Sequence, residues 1–596
     1  MSLANVVLYI AILGFLVYRR VQGKPVGSAK QLFVLPVVLC VLGLALGLRI
    51  AHLSGAPLSP LSYQPGPDED YYQRFGAAVA GGHGALTPEF TFMDPAYGYL
   101  LGAVFRILGV NPFAVYLLQA LLDVATAYGV YRIGTCLGRP RAGLAGAALY
   151  ALTSTAILFT ATLLKETCVT AWLTWWVVAA LSVLQSRRRL AWLAFGAYCG
   201  VGVALRSNLL LLGGAGLLLP LLQPPPAAAA APRAGLRRSA LVLGGLVVAL
   251  LPWCLRNAEA GLGPSPLPTN GGIVLHQVYN DSNPDSSIWI PPFVNYLHPS
   301  EIWRGYAAEA SRRAARPLSP SEIDRYWRGQ ALAFIGDHPG AVLHDVARKA
   351  LAFLSAAEVP NNRSAVEERM FSPVLRALPP PATWLLALGL PGLAWLGRRD
   401  RRWLIVAMPI LLSWFMFALF WAEDRFRVHA MGSLALCSGI WLEELLACLR
   451  ARAWLRSAPL VAGAAMIAVL SLWLGSRTPP PEVRWDHIVW GYVKMGRNAE
   501  AERIARRVLA GQPDNAPLLE ALGVVSASQG RYEEARDSLE RALALRPASH
   551  IGHYNLARVY LALGDRARAD TEARRALQLY PTDDYARLLR QIEAAQ

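Results

Sequence analysis

Apolar runs long enough to cross about 30 Å of hydrocarbon recur along the chain, near residues 3–18, 31–50, 112–131, 143–160, 167–185, 190–205, 207–222, 239–255, 382–397, 403–421, 428–447 and 457–474. The pattern predicts about twelve membrane-spanning helices. Between them Lys and Arg gather in alternate loops: Arg19, Arg20, Lys24 and Lys30; Arg139 and Arg141; Arg187 to Arg189; Arg233, Arg237 and Arg238; Arg398, Arg399, Arg401 and Arg402; Arg450, Arg452 and Arg456. The excess of cations on the inner side of membrane proteins assigns these loops to the cytoplasm. Arg19 and Arg20 follow the first run with no small-residue cleavage site, so it reads as an uncleaved span rather than a signal peptide. Residues 96–110 (AYGYLLGAVFRILGV) are also apolar, but a span there would reverse the parity of every later loop, and Arg106 interrupts it. That stretch is expected to be an interfacial or half-inserted helix. With this parity, the outer side holds residues 51–111, the turn near 160–166, the long loop 256–381 and everything after 475.

Composition agrees: 54% of residues are hydrophobic and 16% charged, where a soluble domain carries roughly a quarter charged. The net charge of +17 is spread through short clusters between apolar runs. That pattern reports topology and not a nucleic-acid face. The seven cysteines lie in or beside apolar segments with no metal-ligand spacing, which argues against a disulfide framework. At 596 residues the chain also exceeds what one core usually holds.

The last hundred residues supply a second domain. Gly496, Gly530 and Gly564, Ala501, Ala535 and Ala569, and Pro513, Pro547 and Pro581 recur with a period of 34 residues. Trp485, Leu519 and His553 share one phase of that period; Tyr492 and Tyr560 share another. The phase resembles the tetratricopeptide repeat (TPR), a helical hairpin in which small residues let two helices approach, glycine opens the turn and proline follows the second helix. Repeats 482–515, 516–549 and 550–583 would stack into an α-solenoid whose concave face binds a peptide or protein, or would pack on the membrane domain. The fold class expected for the whole is all-α: a polytopic domain over 1–475, with outer loops 51–111 and 256–381, followed by a TPR domain over 482–596.

Within the long outer loop, "PTNGGIVLHQVYNDSNPDSS" reads as turns. Residues 300–358 show helical spacing, and Ser319 or Ser321 can cap a helix with Pro320 in its first turn. The candidate chemistry lies in "GPDEDYY". Asp68, Glu69 and Asp70 form the densest early acid cluster, flanked by Tyr71 and Tyr72 and placed outside. Asp94 and Glu166 share that side, as do Lys165, Arg206 and Arg256 at span ends. A carboxylate near cations at a membrane surface suits transfer of a sugar from a polyprenyl phosphate. There the leaving group is already a stable anion, so one carboxylate as general base and cations on the phosphate suffice. A glycosidase needs an additional acid.

The order of the outer acid loop, "DPAYGYLLGAVFRILGVNPF", "LLKE", "ALRSN" and "LPWCLRN...TNGG" resembles the GT-C glycosyltransferases of the dolichyl-phosphate-mannose protein mannosyltransferase-like superfamily. Coverage is good over about 60–280 and looser over 380–447. With repeats added, the layout is similar to the transmembrane and TPR-containing O-mannosyltransferases and to bacterial membrane proteins of the same plan. The resemblance implies a catalytic acid at Asp68, with Asp70 as the alternative, and an acid at Glu166 that orients acceptor or cation. It implies substrate contacts among Glu69, Tyr72, Asp94, Lys165, Arg206, Arg256 and Asn257, with Arg256 favoured for the lipid phosphate because a planar guanidinium fits phosphate oxygens. Each of these cations could instead extend to lipid head groups. Several relatives carry a lysine before the prolines, where this chain has Asp94 in "MDPAY". Glu423, Asp424, Arg425 and Arg427 read as a salt-bridged cap.

The expected partners are a polyprenyl-phosphate sugar donor, membrane lipid, and a peptide or protein at the repeats, with no nucleic acid. No cofactor is read from the sequence. His83, His276, His298 and His338 show no ligand spacing, and use of a divalent ion at the acid cluster stays open. There is no Walker loop and no dinucleotide fingerprint. Asn362 in "NRS" fits a glycosylation sequon. The expected reaction is transfer with inversion at the periplasmic or luminal face of a bacterial inner membrane or endoplasmic reticulum. Competing readings are a non-catalytic TPR scaffold for envelope polysaccharide assembly, a polymerase or ligase using lipid-linked oligosaccharide, and a transporter for which Asp123 would be the buried acid.

Overall fold

The computed structural model describes residues 29–82, 88–222, 231–283, 289–294 and 298–594. The run 3–18, the cations Arg19, Arg20 and Lys24, and His83 lie outside them. Among the described residues the chain is helical throughout, with no strand.

Among the described residues six helices are long and apolar enough to cross a membrane: Leu35–Leu58, Pro112–Cys136, Glu166–Val183, Ala234–Glu259, Asp424–Arg450 and Trp454–Ser476. Pro140–Ala151 and Ser154–Thr160, bent by 60° at the break between them, form a broken span or a re-entrant loop. Of the twelve runs read from hydropathy, 3–18 is outside the described residues, and the others do not all form a helix of this length. Arg189–Leu205, Ser207–Leu221, Pro381–Gly397 and Trp403–Leu419 are apolar but shorter. At 1.5 Å per residue, a helix of about 17 residues spans about 25 Å, less than the hydrocarbon thickness. Hydropathy alone does not register where a helix breaks.

The long helices pack side by side around a core that includes Trp176, Trp192, Tyr150 and Phe417. The acid at the middle of Pro112–Cys136 is sealed there. Arg49 places Nε and Nη2 on Asp123 Oδ2 at 2.7 and 2.6 Å, Tyr150 donates to Asp123 Oδ1 at 2.5 Å, and Arg49 Nη1 donates to the Ala151 carbonyl at 2.5 Å. Asp123 and Arg49 are 1% and 0% exposed, so the charge is matched inside the bundle and faces no aqueous path.

Loops that the sequence assigns to one side meet at one end of the bundle. Arg139 pairs with Glu443 and Glu444 at 3.3 and 2.6 Å, and Arg402 donates to the carbonyls of Cys136 and Leu137. The opposite end carries a cover of shorter helices. Pro67–Ala80 and Pro95–Leu108 lie against each other so closely that a Cβ on Gly98 would stand 2.3 Å from the Phe75 ring. Pro95–Leu108, the helix expected at the interface, buries Tyr97, Leu101 and Phe105, whereas Ile107 and Leu108 at its end are exposed. Pro299–Arg313 and Pro320–Asp337 close around Tyr306, Trp327 and Ile323. The cap of the second is Ser319, whose N–H donates to Glu322 at 2.9 Å while Pro320 occupies the first turn.

The chain then leaves Trp454–Ser476 and forms three helical hairpins and a last helix, Asp583–Ala594. Gly496, Gly530 and Gly564 adopt φ of +73°, +78° and +83°, the left-handed conformation that opens each hairpin turn. Ala501, Ala535 and Ala569 are wholly buried between the paired helices. The array also packs on the cover. Arg484 directs its N–H, Nε and Nη2 onto Glu367 at 2.8, 3.1 and 2.9 Å, Gly491 rests on Pro60, and Tyr492 meets Phe371 edge-on.

Candidate active site

Pro67 starts a helix whose first turn carries three acids, a favourable place for negative charge. Successive helical residues point about 100° apart, so the three carboxylates face three different surroundings. Glu69 turns inward, buried, and Arg363 grips it with Nε at 2.9 Å and Nη2 at 2.8 Å while the Gly66 N–H donates to it at 3.1 Å. It is a buried two-pronged pair that locks the helix start to the 361–364 segment. Asp70 turns outward, to Arg74 at 2.7 Å and His298 at 3.2 Å. Burial pushes the Asp70 carboxyl up, but the hydrogen bond from His298 and the charge of Arg74 outweigh it and hold the group below its usual value.

Asp68 faces the membrane bundle. Its Oδ2 accepts from Asn362 Nδ2 at 2.8 Å and from Arg425 Nη1 at 2.9 Å, and its N–H donates to Asn362 Oδ1 at 3.1 Å. Oδ1 has no hydrogen-bond partner among the described residues. The sequon asparagine is therefore 7% exposed with its amide nitrogen engaged, which is no position for a glycan acceptor. Arg425 also contacts Glu423 at 2.6 Å, and burial pushes the Glu423 carboxyl up against the opposing charge of Arg425. The salt-bridged cap expected at 423–427 is present, including Asp424 with Arg427 at 3.1 Å, but one of its arginines reaches out of it to Asp68.

Two further polar groups lie at the same end. Asp94 stands at the residue before Pro95–Leu108 without a side-chain capping bond, pairs with Lys165 through Oδ2, and accepts from the Ser207 N–H at 2.9 Å through Oδ1. Burial pushes the Lys165 ammonium down and Asp94 partly restores it. The Tyr72 hydroxyl donates to the Asp94 carbonyl at 3.4 Å, and Lys165 stands 5.8 Å from the Tyr72 ring centroid. Glu166 opens the helix Glu166–Val183, again an acid at a helix start. Its Oε1 takes Arg206 Nη1 at 3.3 Å, and its Oε2 is buried with no partner among the described residues. Arg206 Nη1 also lies 3.3 Å from His429 Nε2, and since arginine only donates, that nitrogen accepts. Burial first, then the charges of Asp94, Tyr71, Asp68 and Glu166, raise the Tyr72 hydroxyl well above the ordinary tyrosine value.

Arg256 stands elsewhere. Its Nη2 donates to the Phe90 carbonyl at 2.9 Å, its Nε to Tyr99 Oη at 3.3 Å, and its guanidinium lies over the Phe75 and Tyr99 rings. Asn257 accepts from Arg256 at 2.9 Å and donates to the Ser265 and Leu267 carbonyls, which holds the turn after the helix. The cation beside Asp68 is Arg425, which sequence reasoning set aside. No three His, Cys, Asp or Glu side chains among the described residues converge on a metal site, and the acids of the cluster already hold cationic or amide partners. A divalent ion does not fit this donor set as it stands, and no step is derived through one. An apolar recess of about 520 Å³ lies between Leu149, Leu152, Leu378 and Trp384 and is lined by none of these charged residues.

A family model described as dolichyl-phosphate-mannose-protein mannosyltransferase matches residues 92–253, which include Asp94, Lys165, Glu166 and Arg206. Two tetratricopeptide repeat models match residues 488–550 and 526–592. No curated protein matches the chain. Among solved structures, the first TPR of Spaghetti (RPAP3) bound to an HSP90 peptide is similar at 20% identity over 19% of this chain and 89% of its own, with a TM-score of 0.18. The Archaeoglobus fulgidus oligosaccharyltransferase tethered to an acceptor peptide aligns at 15% identity over 77% of this chain and 57% of its own, with a TM-score of 0.41. The same archaeal enzyme in complex with an inhibitory peptide and a dolichol-phosphate aligns at 14% identity over 78% of this chain and 58% of its own, with a TM-score of 0.39. The present chain thus spans little more than half the length of that enzyme. The likeness read from the sequence, a mannosyltransferase-like membrane region followed by tetratricopeptide repeats, reappears in the same order in the family matches.

Proposed function

We propose that the protein is an integral membrane glycosyltransferase that moves a sugar from a polyprenyl-phosphate donor to a hydroxyl on a peptide or protein acceptor, with Asp68 as general base. Residues 1–475 form the transferase domain, with the shorter apolar helices completing about twelve spans in a locally thinned or tilted arrangement, and residues 482–596 form the acceptor-binding array on the same side as Asp68. The observation that carries the reading is the Asp68 carboxylate. It stands at one mouth of the helix bundle with one oxygen held by Asn362 and Arg425 and the other unengaged among the described residues, in a chain whose residues 92–253 match the mannosyltransferase model.

Asp68 is favoured over Asp70 because Asp70 is turned outward to Arg74 and His298. In the reaction, Asp68 takes the proton of the acceptor hydroxyl as that oxygen bonds to the anomeric carbon. The carbon–oxygen bond to the phosphate breaks, and its electron pair leaves on the lipid phosphate. Attack from the side opposite the leaving group inverts the anomeric centre. Glu166, held by Arg206, orients the acceptor, and Lys165 with Asp94 keeps the 92–110 segment docked beside it. Asn257 and Arg256 act by holding the loop after Ala234–Glu259.

The test is in vitro transfer from a panel of radiolabelled polyprenyl-phosphate sugars to peptide acceptors, comparing wild type with Asp68→Asn and Asp70→Asn. Loss of a positioned base predicts a fall of about 10²–10⁴-fold for Asp68→Asn, and a much smaller change for Asp70→Asn. Unchanged transfer by Asp68→Asn would favour the scaffold reading. Transfer only from lipid-linked oligosaccharide would favour the polymerase or ligase.

A further inference from the structure

We infer that Arg425 is the receptor for the donor's phosphate and that it alternates between this phosphate and Asp68, so that donor binding itself releases the base. This rests on the glycosyl-transfer reading above.

The backbone that carries Arg425 is held firmly. The Asp424 N–H donates to the Val359 carbonyl at 3.0 Å and the Val359 N–H returns to Asp424 Oδ2 at 3.0 Å. Arg427, two residues on, donates to the carbonyls of Ala357 and Ala352 at 2.9 and 2.5 Å. The short helix is thus clamped to the 352–362 segment, which also supplies Asn362 to Asp68. Against this fixed base the Arg425 side chain is shared between two acids, Asp68 at 2.9 Å and Glu423 at 2.6 Å. Guanidinium offers five N–H donors, and Nη2 has no hydrogen-bond partner among the described residues.

A second arginine faces the same ring. The Arg425 guanidinium carbon lies 5.4 Å from the Phe426 ring centroid and that of Arg206 lies 4.9 Å from it. Two arginines gathered at one buried aromatic, each neutralised by a carboxylate, make a site that accepts a phosphate by exchange. A sugar–lipid phosphodiester carries a single negative charge, as does the Asp68 carboxylate. A phosphate taking Asp68's place on Arg425 offers the guanidinium the same single charge, the cost of the exchange is the carboxylate left without its cation, and the planar fork suits phosphate oxygens. Asn362, a neutral amide, remains on Asp68 and keeps it aimed. With Arg425 withdrawn, the Asp68 Oδ2 that it held is open to the acceptor hydroxyl at the moment a donor is present. After transfer Asp68 holds the acceptor's proton and the leaving phosphate carries an additional charge, so it binds the arginines more strongly. Loss of the proton from Asp68 to water restores its hold on Arg425 and expels the product lipid.

The consequence is unusual for a base. Asp68→Asn should bind phosphate better than wild type, because the competitor for Arg425 has lost its charge. The measurement is binding of a fluorescent short-chain polyprenyl phosphate to the full-length protein in nanodiscs. Expected are a dissociation constant for Asp68→Asn on the order of tenfold tighter than wild type, one for Arg425→Gln on the order of tenfold weaker, and Arg425→Lys between the two. Size-exclusion profile and melting temperature establish that each variant is folded, and Arg425→Lys keeps the charge if Arg425→Gln fails. Unlabelled lipid phosphate should displace the probe, and inorganic phosphate at the same concentration should not. Displacement by inorganic phosphate alone would overturn the lipid assignment. Unchanged or weaker binding by Asp68→Asn, or wild-type binding by Arg425→Gln, would overturn the exchange while leaving sugar transfer by the wild type intact. A wild-type protein that neither binds polyprenyl phosphate nor transfers sugar would remove both readings together.

Discussion

Replacing Asp123 by leucine strips one charge from a pair that water does not reach. Arg49 is 0% exposed and keeps only the Ala45 and Ala151 carbonyls once the carboxylate is gone, while the Tyr150 hydroxyl loses its acceptor. Breaking a buried ion pair from one side costs about 3–5 kcal/mol because the remaining charge is uncompensated. Orphaning the buried hydroxyl adds about 1–3 kcal/mol. The double substitution Arg49→Met with Asp123→Leu removes both charges and should recover most of the loss, since a well-packed apolar pair is often neutral or stabilising relative to the ion pair. The assay is thermal unfolding of the full-length protein in one detergent, with the two single variants and the double closing a cycle. Equal melting points for Asp123→Leu and the double variant would refute the view that the network is a matched buried charge. A double variant that is stable but inactive would mean that Asp123 takes part in function, as the transporter reading requires.

Three other outcomes follow from the packing. Gly98→Ala drives a methyl into the Phe75 ring, so the helices Pro67–Ala80 and Pro95–Leu108 must part; a loss of about 1–3 kcal/mol is expected by thermal melting, and an unchanged melting point would show that the contact yields freely. Glu367→Gln removes the charge that anchors Arg484, so proteolysis in the 477–484 segment should quicken while the membrane domain melts as before; unchanged cleavage would place the anchor elsewhere. His276 is pushed down to about 4, first by burial and then by Arg313, with Asp281 opposing. Between that value and the ordinary 6.5 the unfolded chain binds more protons, so stability should fall as pH drops from 6.5 toward 4. His276→Asn should flatten the dependence of the melting point on pH in that window, and an equally steep curve would assign the titration to another group.

Much of the secondary structure was open to reading in one dimension. The period of 34 places the hairpins from Trp485 to Leu579, and Ser319 followed by Pro320 marks a helix start that the structure retains. Two of the six cation clusters, at Arg139 and at Arg402, meet at one end of the bundle. The candidate site was legible only in outline. Asp68, Asp94, Lys165, Glu166 and Arg206 do gather at one end, but Glu69 proves to be locked to Arg363, and Arg256 lies over aromatic rings instead of beside the acid. The count of about twelve spans is not reproduced among the described residues, because an apolar run continues through a helix break that a hydropathy window does not see.

Local order and the repeat were encoded in short-range periodicity, because helix geometry acts on neighbouring residues. The partners of Asp68 were not. Asn362 and Arg425 stand 294 and 357 residues away, on segments with no shared period. Only the packing of the covering helices against the bundle brings an amide and a guanidinium to that carboxylate, since hydrogen bonds of this kind depend on distance and direction in space and leave no trace in the spacing along the chain.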